Sequence, residues 1–264
     1  MSGNSGRPGA TVASRVLALL GAFDGAHRSM TLTELARRAE LPLTTTHRLV
    51  AELVEWGALT RRASGEYVVG SRLWDLGLLA PVQSGLRQVA SPFLHDLYAA
   101  TLATVHLAVR DGTSALYIDR LSGHVSVPVV SDVGSRLPLH ATGVGKVLLA
   151  YAPDEVRTWV FTNLTRITPY TITQPGRLRA ELRRVPRDGF AQTGEEMSIG
   201  ACSVAVPIRG NVSTAGLAES PGGPVVAALG IVVPRLGRDR PRLVAALEVA
   251  ARGIGRSLPL SESG

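Results

Sequence analysis

The chain has 264 residues, 45% hydrophobic and 19% charged, enough apolar material for about two domains and too much for a disordered chain. Its formal charge is +7, carried by 27 arginines and one lysine, Lys146; this admits nucleic acid, acidic lipid or an anionic ligand without choosing among them. A single cysteine excludes an intrachain disulfide framework and a multi-cysteine zinc site, and the longest apolar run, Pro224–Pro234, is far shorter than the roughly 18–20 residues of a bilayer span.

Residues 1–10 (MSGNSGRPGA) read as a disordered tail, and the apolar patch behind them is too short for a signal-peptide core, so a cytoplasmic protein is expected. Val12, Val16, Leu19, Leu20 and Phe23 recur at helical spacing and predict a helix with one buried face. Asp24-Gly25 stops it. In TLTELARRAE, Thr31 and Glu34 fit a capping box at the start of a second helix.

After the turn Glu40-Leu41-Pro42 comes LTTTHRLVAELVEWG. At 100° per residue, Thr46, Leu49, Val50 and Leu53 fall on one side of this third helix. Thr44, Arg48, Ala51 and Glu55 fall on the other, flanked by His47. Gly57 ends it. LTRR and YVVG then predict two short strands around the turn Ala63-Ser64-Gly65-Glu66. Helix, capped helix, turn, helix and hairpin is the order of a winged helix-turn-helix.

From Gly70 the pattern changes. SRLWDLGLLA is amphipathic, Pro81 interrupts it, and VQSGLRQVASPFLHDLYAAT resumes a helical pattern. Leu73, Trp74, Leu76, Leu78 and Leu79 suggest either a dimer seam or an intradomain core. Beyond position 100, the strands ATVHLAVR, SALYIDRL, SVAVPI and VVAALGIVV alternate with helices at VGKVLLAYA, RLRAELRRV and RPRLVAALEVAARGIGRSL. That mixture predicts an α+β domain. RGNVSTAGLAESPGGP reads as a long loop between the last two strands.

On this basis Arg48 is the candidate base contact, its guanidinium fork matching guanine O6 and N7. Thr44 and Thr45 sit where hydroxyls and free helix amides meet a phosphate, and His47 suits base or backbone. Arg61 and Arg62 on the hairpin would neutralise phosphates. Further on, Gly143-x-Gly145-Lys146 precedes an apolar helix but is no Walker loop. Its glycine spacing is too short, and Val147 stands where Ser or Thr is needed. Amides of such a turn can still hold a carboxylate. Cys202 reads as a buried structural thiol at a strand start, and Glu195-Glu196 as a solvated turn. His95, His106, His124 and His140 show no ligand spacing; His140, beside the glycine turn, is the one placed to serve a pocket or a metal. No catalytic residues, metal or cofactor are expected.

These residues, in order and spacing, resemble the IclR (isocitrate lyase regulator) family of bacterial transcription factors. In the first domain the resemblance rests on RVLALLGAF, TLTELARRAELPLTTTHRLVAELVEWGALTRR and YVVGSRLWDLG. In the second it rests on VHLAVRDGTSALYIDR, RLPLHATGVGKVLLA and GEEMSIGACSVAVPI.

The resemblance implies a winged helix-turn-helix over 11–70, a linker helix over 71–84, and an effector-binding α+β domain of GAF-like fold over 85–264. It also implies a homodimer or dimer of dimers on partly palindromic double-stranded operator DNA, with no membrane partner. Leu137, Gly143 and Val144 would line the effector pocket.

Members that bind short keto acids carry a carboxylate, a cysteine and two serines where this chain has Thr193, Ser203, Gly230 and Val232, with Cys202 one residue early. The exchange predicts a roomier, more apolar pocket for a larger ligand such as an aromatic or alicyclic carboxylate. GACSVAVPI is also similar to members that control aromatic-compound catabolism. Rival readings are an enzyme using Cys202 or the Glu pair, and a sensor that no longer binds DNA. The lack of a triad or metal spacing opposes the first; Arg48 and the basic hairpin oppose the second.

Overall fold

A computed structural model describes residues 11–78, 84–123, 127, 130–210 and 223–258, and the chain divides into two compact units, 1–84 and 85–264. The tail 1–10, Leu79, the Leu78 side chain, His124 and residues 211–222 of the long loop lie outside the described residues.

The first unit is three helices and a small sheet. Helix α1, Val12–Leu20, is capped by Thr11, whose Oγ1 accepts the Ser14 amide. It ends at Gly21, three residues before the expected limit, and Val12 is exposed rather than buried. Strand β1, Ser29–Met30, follows; two residues are too few to show the alternation that marks a strand in sequence. Asp24 organises the turn between them, accepting the amides of Ala26 and His27 and the His27 ring, while Arg38 reaches it at 2.7 Å.

Helix α2, Leu32–Arg38, carries the expected capping box: Glu34 N–H donates to Thr31 Oγ1, and Glu34 Oε2 accepts the Thr31 amide. Helix α3, Leu43–Trp56, buries Thr46, Leu49, Val50 and Leu53. Gly57 ends it with φ +86°, a left-handed conformation open to glycine, and Ala58 N–H reaches back to Leu53 O at 2.8 Å.

Strands β2, Leu59–Arg61, and β3, Tyr67–Val69, form the hairpin, and β1 adds to β3 in the order β1-β3-β2. Gly70 closes this wing against the end of α3. Its amide donates to Ala58 O, and a Cβ there would stand 2.2 Å from Gly57 O. Helix α4, Ser71–Leu78, sends Leu73 toward the core of Leu19, Leu35, Leu49 and Leu59, while Trp74 and Leu76 are exposed.

The second unit is built on an antiparallel six-stranded sheet. Helix α5, Ser84–Thr101, leads into β4, Thr104–Asp111, and β5, Ser114–Leu121, paired through a two-residue turn. Strand β6, Arg136–Pro138, precedes helices α6, Gly143–Ala150, and α7, Asp154–Thr162. Helices α8, Pro175–Leu182, and α9, Val185–Asp188, lead into β7, Ala191–Gly194, and β8, Cys202–Arg209. Strand β9, Val225–Val233, and helix α10, Arg240–Ser257, complete the unit. The sheet order is β6-β5-β4-β9-β8-β7. Three short elements, β6, β7 and α7, lack a strong period and were not predicted.

Period-two alternation decides what each face holds. On one face Val105, Leu107, Val206, Ile208, Leu229 and Ile231 pack with residues of α5 and α10, including Leu94, Leu247 and Ile254. On the other, the central strands present small residues, Ala108, Ala205, Ala228 and Gly230, and α6 settles close upon them. A Cβ on Gly230 would meet Val144 Cγ1 at 2.8 Å; one on Gly143 would meet Ser203 Oγ at 2.6 Å. The glycines of α6 therefore serve close packing. Among the described residues no helix is long and apolar enough to cross a membrane.

Candidate functional site

Two surfaces gather the residues singled out above. The first is the open side of α3. Thr44, His47 and Arg48 are exposed there and Thr45 is half-buried. Pro42 stands at the N-cap and no side chain caps the helix, so the first amides of α3 have no helical acceptor and present a partial positive charge.

Arg48 Nη1 lies 3.0 Å from Glu52 Oε1 along the same face, with both side chains more than half exposed. Such a pair is worth about 0.3–0.5 kcal/mol and is easily exchanged for a stronger acceptor. On the hairpin, Arg61 lies 5.9 Å from the Tyr67 ring centroid. Arg62 is exposed at the turn, its amide bonded to Glu66 O. Arg72, not anticipated, stacks 4.6 Å over the Trp56 ring.

The second surface is a small cavity at the N-terminal end of α6. All seven residues expected in it, Leu137, Gly143, Val144, Thr193, Ser203, Gly230 and Val232, line it. Its volume is about 40 Å³, so it is apolar as expected but not roomy. Val144 packs against Gly230, close enough that a Cβ there would lie 2.8 Å from its Cγ1.

Hydroxyls and helix amides meet at the cavity wall. Thr142 Oγ1 accepts the Gly145 amide, Gly143 N–H donates to Ser203 Oγ at 3.2 Å, and Ser203 Oγ lies 2.6 Å from Thr193 Oγ1. The Val144 amide, in the same turn, makes no hydrogen bond among the described residues. That turn offers donors to a carboxylate, with the helix dipole adding to the attraction.

His106, Tyr117 and Ser131 also line the cavity, and sequence reasoning missed them. His106 is buried, shares a 2.8 Å hydrogen bond with Ser131 Oγ, and meets the Tyr117 ring edge-on at 5.0 Å. Burial, helped by the charge of Arg120, pushes its pKa down to about 3. Burial pushes the Tyr117 phenol up to about 12, against a hydrogen bond with Thr142. Both are neutral near pH 7, and no charged side chain lines the cavity. The available signal was positional: His106 sits inward on a strand, on the same side as Ala108.

Beside the cavity lies the chain's one lysine. Lys146 on α6 is 1% exposed, and its ammonium donates to Glu181 of α8 at 2.6 Å and Glu196 at 2.7 Å. Glu196 is buried, not part of a solvated turn: Thr168 and Thr171 hydroxyls hold the backbone carbonyls of Glu195 and Glu196 at 2.7 Å. Its Oε2 has no hydrogen-bond partner among the described residues, and burial holds its carboxyl above the usual range, against the pull of Lys146.

Other expectations shift too. His140 is buried away from the cavity lining, donating from Nε2 to Thr165 O at 2.9 Å, with burial lowering its pKa. Cys202 does begin β8 but is half-buried rather than buried, and it does not line the cavity. Among the described residues no three His, Cys, Asp or Glu side chains group to hold a metal.

Residues 12–63 match the IclR helix-turn-helix domain, and residues 80–256 match the bacterial transcriptional regulator IclR C-terminal domain. The transcriptional regulator KdgR of Escherichia coli is 30% identical over 253 residues, 93% of this chain and 92% of KdgR. KipR of Bacillus subtilis is 31% identical over 182 residues, 68% of this chain and 73% of KipR. Among solved structures, an IclR homologue from Microbacterium hydrocarbonoxydans, complexed with 4-hydroxybenzoate, is 36% identical with TM-score 0.86, covering 94% of this chain and 99% of its own. The IclR of Thermotoga maritima is 28% identical with TM-score 0.72, covering 94% and 98%.

Two measurements probe this geometry. Lys146→Met strands two carboxylates around a buried gap and is expected to lower stability by about 3–5 kcal/mol in urea denaturation; a loss below about 1 kcal/mol would remove the triad's structural role. His106 has a folded pKa below its unfolded value, so its contribution is lost as pH falls from 6.5 toward 3. Between pH 7 and 5 the stability gap between wild type and His106→Gln should narrow by about 2 kcal/mol. A pH-independent gap would place the imidazole in solvent.

Proposed function

This chain belongs to the IclR family of bacterial transcriptional regulators, and on that footing we propose that it is an operator-binding factor controlled by an aromatic or alicyclic carboxylic acid. Its helix-turn-helix domain binds DNA and its C-terminal domain binds the effector. It acts in the cytoplasm, without catalysis, as a homodimer or dimer of dimers on a partly palindromic site.

In the DNA-binding unit, the uncapped start of α3 seats a phosphate against Thr44 and Thr45, which fixes the register. Arg48 leaves Glu52 to reach a guanine edge, and His47 supports it. Arg61 and Arg62 hold the backbone beside the groove.

In the effector unit one observation carries the reading. An uncharged, mostly apolar cavity presents a helix-start amide with the Ser203 and Thr193 hydroxyls, and a neutral His106–Ser131 pair besides. A carboxylate bonds to the first set, a ring fills the space against Val144, Ile231 and Val232, and a ring hydroxyl finds His106 or Ser131. The free volume of about 40 Å³ is smaller than a ring needs, so lining side chains shift as the ring enters. The 4-hydroxybenzoate complex of the Microbacterium relative supports the same ligand class.

Arg48→Ala is expected to weaken operator binding by about 1–3 kcal/mol and to relax sequence preference in gel-shift titrations. Unchanged affinity and preference would take Arg48 out of the groove. Calorimetric titration should find 4-hydroxybenzoate or benzoate binding, weakened about tenfold or more by Ser203→Val, which removes a hydrogen bond to a charged group. Binding of short keto acids alone would overturn the ligand assignment.

A further inference from the structure

The second unit holds a concavity far larger than the effector cavity. It is an open cleft of about 660 Å³ that holds Lys146 and Glu196, with four arginines around it: Arg166 after α7, Arg177 on α8, Arg184 before α9 and Arg240 at the start of α10. We infer that this cleft is a second ligand site, which takes a small organic polyanion, a di- or tricarboxylate or a phosphate-bearing metabolite.

The charge balance points there. Three carboxylates also line the cleft, and each has at least one oxygen on a cation, with Glu196 Oε2 the oxygen left without a hydrogen-bond partner. Glu181 and Glu196 share Lys146, and Asp188 pairs at 2.8 Å with Arg187, which is not in the lining. None of the four arginines forms an ion pair within 4.0 Å among the described residues, although the charge of Arg184 helps to lower the pKa of the Asp188 carboxyl.

Two of them are held in place by neutral acceptors. Arg166 donates to Pro169 O and Thr173 Oγ1, and Arg240 to Gln192 Oε1. Hydrogen bonds of this kind orient a guanidinium without discharging it. The side chains of Arg177 and Arg184 make no hydrogen bond or ion pair among the described residues, and both residues are exposed in the cleft lining.

Guanidiniums oriented around one concavity suit planar carboxylate or phosphate groups bound through paired N–H donors. The size fits a small molecule, since ligand sites usually enclose about 300–1,000 Å³, and the concave form does not suit a duplex. The cleft also shares a wall with the effector cavity. Along β7, Thr193 faces the cavity, while Gln192 and Gly194 line the cleft. The arginine excess of the C-terminal half, which DNA binding does not use, thereby acquires a role.

The test is calorimetric titration of the full chain with citrate and, separately, pyrophosphate, at 150 mM ionic strength with sodium chloride matched between cell and syringe. Saturable binding of either probe is expected, and which one binds tells carboxylate from phosphate. Arg177→Ala/Arg184→Ala should weaken it at least tenfold while leaving 4-hydroxybenzoate binding and thermal unfolding unchanged. Ser203→Val should leave it intact, which separates this site from the effector cavity. The inference falls if neither probe binds saturably, if the double variant binds as wild type does, or if Ser203→Val abolishes binding.

Discussion

A lysine ammonium taken out of water must find compensation inside the fold, and Lys146 finds it in two carboxylates from different elements. That requirement joins α6 to α8 and to the turn after β7. It fixes α6 along its axis and so decides where Gly143 and Val144 stand. The small apolar cavity lies at that helix start, with Thr193 of β7 on its wall. One buried ion cluster thus sets the two sides of the cavity relative to each other.

The packing below α6 works to the same end by other means. Ala108, Ala205, Ala228 and Gly230 lower the floor of the sheet, and Gly143 and Gly145 remove bulk from the helix. A Cβ on Gly145 would meet Thr142 Oγ1 at 2.4 Å and Leu139 O at 2.6 Å. Interiors are close-packed, so missing side chains are filled by neighbours instead of leaving space. Val144 does this above Gly230. The same small residues that let the helix sit close leave a cavity that is mostly apolar and of only about 40 Å³.

The charge of the chain divides along similar lines. In residues 1–80, nine arginines face seven acidic residues, so the DNA-binding half holds little of the net +7. Placement matters there more than total charge: an uncapped helix start, one arginine on its open face and two on the wing. The C-terminal half carries the excess, and part of it rings the cleft beside Lys146.

Elements with a strong period were legible in the sequence. α3 buries the four residues its helical wheel selects, and Thr31 with Glu34 forms the capping box that their spacing requires. Both follow from local geometry, which a few consecutive residues determine. β1, β6 and β7 are too short to show a period, and their partners are distant in sequence. Glu196 reads as solvent-exposed until α6 brings Lys146 to it, and His106 reads as scattered until Ser131 and Tyr117 close upon it. The sequence by itself determined the strongly periodic elements, most of their buried faces and the regulator family. Only the tertiary structure decided which polar groups lost water, because desolvation depends on neighbours that chain distance does not reveal.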